Sequence, residues 1–260
     1  MKQTKSISTK FIWPAALTVA SVLFGWHAGG GFATGNQANQ FYVITGWFGP
    51  LSAVLAILLL SLAVREAIIM YNQNHMTSYK QLFETLYHPL DKLELVFEVY
   101  FYIMILMAIS ASIAGTGKMF QDIANISYPV AVGIVGVLLL ILTMFGADLV
   151  RKASTVMTVL ILLTALCIFV IGIVQKGDVI AAFFAAGPDW KQLPLALLKS
   201  FQYAGCQCAA IPTMIAVGTV LSNPKEAKKS MWIAFVLSSL VLCLSVVMLL
   251  GWNDVYCAIE

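Results

Sequence analysis

From residue 153 to residue 174 the chain runs for 22 residues without a charged side chain. A bilayer core of ~30 Å is crossed by about 20 mostly apolar helical residues, so one such run predicts a transmembrane helix. The rest of the sequence repeats the pattern. Hydrophobic residues make up 60% of it and charged residues only 10%. A soluble domain carries about 25% charged residues, because its outside must be polar. A chain of 260 residues this apolar is therefore expected to use lipid as solvent, as an all-α, polytopic transmembrane helix bundle forming a single domain. The net charge of +3 is too small to suggest nucleic-acid binding.

Seven apolar stretches are long enough to span: residues 11–45, 47–71, 93–121, 129–147, 153–174, 193–221 and 231–252. The linkers between them are polar. Residues 72–91 include an amphipathic stretch, 78–86, suited to the interface. Residues 148–152 read as a tight turn, 175–192 as a longer loop and 222–229 as a short basic loop. Counted on alternate sides, one side holds 11 Lys and Arg and the other holds 4, namely Lys118, Lys176, Lys191 and Lys199. The positive-inside rule then predicts a cytoplasmic N-terminus and, with seven spans, a C-terminus outside the cell membrane. The five cysteines lie in apolar segments and do not form a disulfide framework.

Two of the spans carry internal breaks. Span 1 holds Gly29, Gly30 and Gly31 in succession, followed by Phe32, Ala33, Thr34 and Gly35. Each glycine lowers helix stability by about 1 kcal/mol relative to alanine, so the run invites unwinding at mid-membrane depth. Unwound backbone is tolerated there only when it is buried in protein or lines a polar cavity. Span 6 places Gln202, Tyr203, Gly205, Gln207 and Pro212 at similar depth, and a break is expected at residues 203–207. Broken helices at matching places in two halves point to a transporter binding site. Their offset of five spans is odd, so the second half would be inverted relative to the first. Close packing of small residues would also account for either stretch taken alone.

The run from Gly29 to Gln37, followed by Gln40, Phe41 and Tyr42, resembles the first-helix signature of the YkvI-type bacterial membrane proteins. These belong to the amino acid–polyamine–organocation group with a LeuT-like fold. The family pattern is close to G-x-G-F-A-S-G-Q-E. Here Thr34 replaces Ser, Asn36 replaces Gln, and Gln37 replaces Glu, which removes a carboxylate. The resemblance implies two inverted five-helix repeats. Residues 11–174 would form the first, and residues 193–252 the first two helices of an incomplete second. It also implies a site between spans 1, 3 and 6, and a coupling ion, Na+ or H+. Missing helices supplied in trans, or a homo-oligomer, would be needed to complete the second repeat.

The residues expected to bind substrate are His27, Gly29, Gly30, Gly31, Phe32, Thr34, Gln202, Tyr203 and Gly205. His27 is ionisable and lies beside the glycines, and such groups inside membranes are usually functional. Glu98, one helical turn beyond Glu94, is expected to gate or couple transport, or else to pair with a cation such as Arg151 or Lys152. The half-helix starting near Phe32 would present backbone N–H groups to an anion, and the carbonyls near residues 26–28 would suit a cation. Cys206 and Cys208 are too few to close a zinc site. The stretch from Gly115 to Lys118 lacks the first glycine and the Ser/Thr of a phosphate loop. No catalytic constellation stands out, so an enzyme is not expected. The function these features point to is secondary transport of a small polar solute, an amino acid or amine. The alternatives are a non-transporting sensor or accessory subunit, or an inactive truncated product.

Overall fold

The computed structural model describes residues 13–29, 32, 35–144 and 146–256. Every regular element among them is helical. The first span begins with α1 (Ala15–His27) and continues in α2 (Asn36–Phe41). A 3-10 segment (Val43–Phe48) then leads into α3 (Gly49–Gln73), with Gly46 at φ 59° making the bend between them. Next come the short α4 (Tyr79–Tyr87), α5 (Glu94–Ala124), α6 (Tyr128–Met144) and α7 (Gly146–Gln175). The second part holds α8 (Gly177–Ala185), α9 (Leu193–Gln207), α10 (Ile211–Gly218), α11 (Pro224–Gly251) and α12 (Asn253–Tyr256).

Among the described residues, four segments are long and apolar enough to cross a membrane: Val43–Gln73, Asp91–Ala124, Gly146–Gln175 and Pro224–Gly251. Two further apolar helices are shorter, Ala15–His27 and Tyr128–Met144. The architecture is an all-α multi-helix bundle, consistent with a polytopic membrane protein.

The centre of the bundle is the pair α3 and α11, which pack against each other more extensively than any other two helices. Both begin with a proline in the first turn, Pro50 and Pro224, where a missing N–H costs nothing. Their buried stripes follow helical spacing, with Ala53, Ala56, Leu60, Val64 and Ala67 on α3 and Ala227, Met231, Ala234 and Ser238 on α11. Small residues dominate, so the backbones approach closely, as membrane helices do when no hydrophobic effect drives them together.

Around this pair, α1 packs on α11 and α7, and α9 packs on α3. The first half of span 1, α1, contacts the second half of span 6, α10; α2 contacts the first half, α9. Spans 1 and 6 therefore run antiparallel. Interhelical hydrogen bonds fix these pairings. Ser200 Oγ donates to the Ser52 carbonyl at 2.9 Å, Thr158 Oγ1 to the Ser21 carbonyl at 3.3 Å, and Trp252 Nε1 to the Gly172 carbonyl at 3.0 Å.

The two ends of the bundle are tied by different contacts. At one end Asn72 donates to the carbonyls of Gly218 and Leu221, and Arg151 to that of Val217. This gathers the linkers that sequence assigns to the basic side. At the other end Trp47 Nε1 donates to the Phe184 carbonyl, and Lys176 lies 5.0 Å from the Trp252 ring centre.

Several local expectations need correction. Residues 148–152 are not a tight turn but the start of α7, where Asp148 pairs with Arg151 at 3.1 Å and Lys152 at 2.6 Å. Those spacings, i to i+3 and i+4, are helical ones. The loop at 175–192 contains α8, and the basic loop shrinks because α11 starts at Pro224, capped by the Asn223 side chain. Span 6 is helical through Gln207, so the break expected at 203–207 lies further on, in a 3-10 turn over Cys208–Ala210. Pro212 gives the reason. It lacks an N–H, and its ring collides with the carbonyl four residues earlier, at Cys208, if the α-helix continues.

Candidate functional site

Span 1 is interrupted where its glycines predict. The α1 helix ends at His27, after 13 residues. At 1.5 Å per residue it covers about 20 Å, short of a bilayer core. Ala28 and Gly29 bend away; beyond them Phe32 N–H donates to the Gly29 carbonyl and Gly35 N–H to the Phe32 carbonyl, each at 3.0 Å. Gly35 sits at φ 76°, the left-handed region that favours glycine, and α2 begins at the next residue.

A cavity of about 780 Å³ opens against this break. Ala28, Gly29, Phe32 and Gly35 form one wall. The helices α5, α7 and α11 form the others, through Ser112, Gly115, Thr116 and Met119, through Ile161, Thr164, Ile168 and Phe169, and through Ser245 and Met248. None of the described lining residues carries a charge. A Cβ added to Gly29 or to Gly115 would meet nothing within 4 Å, so on both sides backbone faces open space. The hydroxyls are the polar groups on offer. Ser112 donates to the Ala108 carbonyl and Thr164 to the Leu160 carbonyl, and both oxygens keep capacity to accept.

His27 lies beside the cavity but not in its wall. Its side chain is 1% exposed, and neither ring nitrogen has a hydrogen-bond partner. Its ring neighbours are Phe24, with centres 5.4 Å apart, and Phe32, at 6.3 Å. Phe32 in turn meets Phe169 edge-on at 6.1 Å. A neutral imidazole has one donor and one acceptor, and leaving a buried polar group unsatisfied costs about 1–3 kcal/mol.

The other expected residues separate into different places. Gly29 and Phe32 line the cavity. Gly30, Gly31 and Thr34 lie outside the described residues. Tyr203 is fully buried at the crossing of spans 1 and 6. There it accepts a hydrogen bond from the Gln37 amide and packs against Phe41 and Tyr42, ring centres 5.3 Å away in each case. Gln202 and Gly205 face a separate groove of about 520 Å³ between α9 and α5, with Phe97 and Tyr100. Span 6 thus contributes no lining to the cavity at the span 1 break. Glu98 is paired with Lys80 of α4 at 2.7 Å; Arg151 and Lys152 go to Asp148 instead. The hydrogen bond from Lys80 to Glu98 holds the lysine above its ordinary pKa.

The hydroxyl residues of α5 and α7 were not singled out by sequence reasoning. Their signal is positional: Ser112, Gly115 and Thr116 recur at helical spacing on α5, and Thr164 and Ala165 sit together between Ile161 and Ile168 on α7, so small or polar groups share one face of each otherwise apolar helix.

Fold and cavity together define a class, a helical bundle with an open cavity, its described lining uncharged, at an interrupted helix. Compared with known proteins, the chain matches no family, and no curated sequence or solved structure is significantly similar to it. The likeness to the YkvI-type proteins rests on the first-helix motif alone.

Proposed function

We propose that the chain is a permease, a secondary transporter that moves a small polar solute across the cell membrane by alternating access. The observation that carries this reading is the cavity of about 780 Å³ at the glycine break of span 1. Ligand sites in membrane transporters collect at interrupted helices, because backbone groups freed there replace the water a solute leaves behind.

The helix pairing supports the inverted-repeat part of the reading. Span 1 packs on span 7, span 6 on span 2, and spans 2 and 7 on each other. Exchanging 1 with 6 and 2 with 7 leaves that pattern unchanged, and spans 1 and 6 run antiparallel, as two inverted repeats require. The first-helix resemblance favours an amino acid or amine as solute. The C-terminal end of α1 carries a partial negative charge beside the chamber, which favours the coupling cation, Na+ or H+.

The test is uptake into liposomes holding the purified chain, using pooled radiolabelled amino acids and amines under an imposed Na+ or proton gradient. Gradient-dependent accumulation that Gly29→Leu abolishes is the expected result. The leucine side chain has room to enter the cavity. Uptake from no pool under either gradient rejects transport by this chain.

A further inference from the structure

We infer that His27 is a concealed polar contact of the solute site, reached when the Phe32 ring turns aside. The occupant it suits is a solute that offers the imidazole an N–H or O–H and the rest of the chamber an apolar part. The inference rests on the permease reading only in taking the cavity for the solute chamber.

Three observations carry it. His27 is buried with both ring nitrogens unpartnered, a condition that natural structures rarely keep without a use for it. What separates it from the chamber is aromatic: Phe32 contacts the imidazole on one side and lines the cavity with Phe169 on the other. Phe32 also lies past the end of α1 at His27, where its N–H donates to the Gly29 carbonyl. A rotation of one ring therefore joins an unsatisfied donor–acceptor pair to a chamber whose described walls are uncharged and mostly apolar. A solute presenting an N–H or O–H would give His27 its missing partner while its body fills the space between Phe169, Ile168 and Met248. A fully apolar molecule gains nothing from the histidine.

The test uses the full chain with His75→Gln and His88→Gln, which leaves His27 as its one imidazole. Diethyl pyrocarbonate reads access to the ring. Phe32→Ala should speed the modification by about tenfold, the gain expected when a minor open state becomes the usual one, and Phe32→Trp should slow it. Indole, with its N–H, should protect His27; indene, its isostere without the donor, should not. Size-exclusion profiles and thermal unfolding confirm that each variant is folded. An unchanged rate in folded Phe32→Ala overturns the door. Equal protection by indole and indene, or none by either, overturns the polar contact. Neither outcome touches the uptake result, and failed uptake with intact protection would reject transport while leaving the His27 site standing.

Discussion

The amide of Gln37 donates to the hydroxyl of Tyr203, joining the second half of span 1 to the first half of span 6 across 166 residues of sequence. Tyr203 is fully buried and Gln37 half-buried, so the tyrosine hydroxyl is the more shielded partner. Tyr203→Phe removes the acceptor and should lower stability by about 0.6 kcal/mol, the average for side-chain hydrogen bonds between membrane helices, and by no more than about 1.7 kcal/mol. Reversible unfolding in mixed micelles reads this. In a double-mutant cycle with Gln37→Leu the two losses should not add, since either substitution breaks the same bond. Full additivity would show that the pair is not coupled.

A second prediction concerns close packing. A Cβ on Gly49 would lie 2.7 Å from the Tyr42 carbonyl oxygen and 3.0 Å from Val246 Cγ1. The obstacle is backbone, so little can give way. Gly49→Ala should destabilise the bundle by about 1–3 kcal/mol, the cost of overpacking. Gly115→Ala, by contrast, meets open space and should be neutral or stabilising, because alanine is the better helix former. Thermal unfolding of both variants in the same detergent makes the comparison.

The Lys80–Glu98 pair predicts a pH dependence of the α4–α5 contact. Lys80 is held above its ordinary pKa by the hydrogen bond to Glu98. A raised lysine pKa means the contribution is fully present below the unfolded value, about 10.4, and is lost as pH rises through the higher folded value. Intrinsic-rate-corrected hydrogen exchange along α4 should therefore hold steady from neutral pH up to the ordinary lysine range and loosen only above it. Lys80→Met should remove that alkaline step. A step that survives the substitution assigns it elsewhere.

Orientation is tested by labelling. Single cysteines at Lys80, Lys152 and Lys228 should resist a membrane-impermeant maleimide applied to intact cells, while those at Lys118 and Lys176 react, because lysine-rich loops stay on the cytoplasmic side. The reverse pattern would invert the topology.

Tyr100 offers a fifth measurement. Its hydroxyl donates to the Cys206 carbonyl at 2.6 Å, just before the 3-10 turn of span 6. Tyr100→Phe should free α5 from that turn and broaden spin-label distances between α5 and α9, with the α3–α11 distance unchanged.

The sequence made the helical spans legible because apolar length alone decides them: α5, α6 and α11 lie where residues 93–121, 129–147 and 231–252 place them, within a turn or two. The break after His27 was legible too, since three successive glycines have no packing substitute for lost helix propensity. Features set by one residue acting at a distance were harder. The span 6 break follows from Pro212 acting four residues back, not from Gly205, which stays helical. The start of α7 was written in the spacing of Asp148, Arg151 and Lys152, but a short charged stretch between two apolar runs read as a turn. The cavity was legible on its span 1 side only. Its other walls depend on which faces of α5, α7 and α11 converge, and that is fixed by tertiary packing between helices far apart in sequence.

The helix α5 buries only Phe101 and Gly117 among its 31 residues, and its main protein neighbour is α6. It nevertheless forms a wall of the chamber through Ser112, Gly115 and Thr116. In a bilayer, that wall is backed by acyl chains more than by protein, so the chamber inherits the compressibility of its surroundings. Lateral pressure becomes a variable of the site: thicker, more ordered membranes should press α5 inward, and thin, disordered ones should let it swing out. Spin-label distances between α5 and α7 in bilayers of graded chain length would register the change, and distances indifferent to the lipid would show a wall held by protein alone.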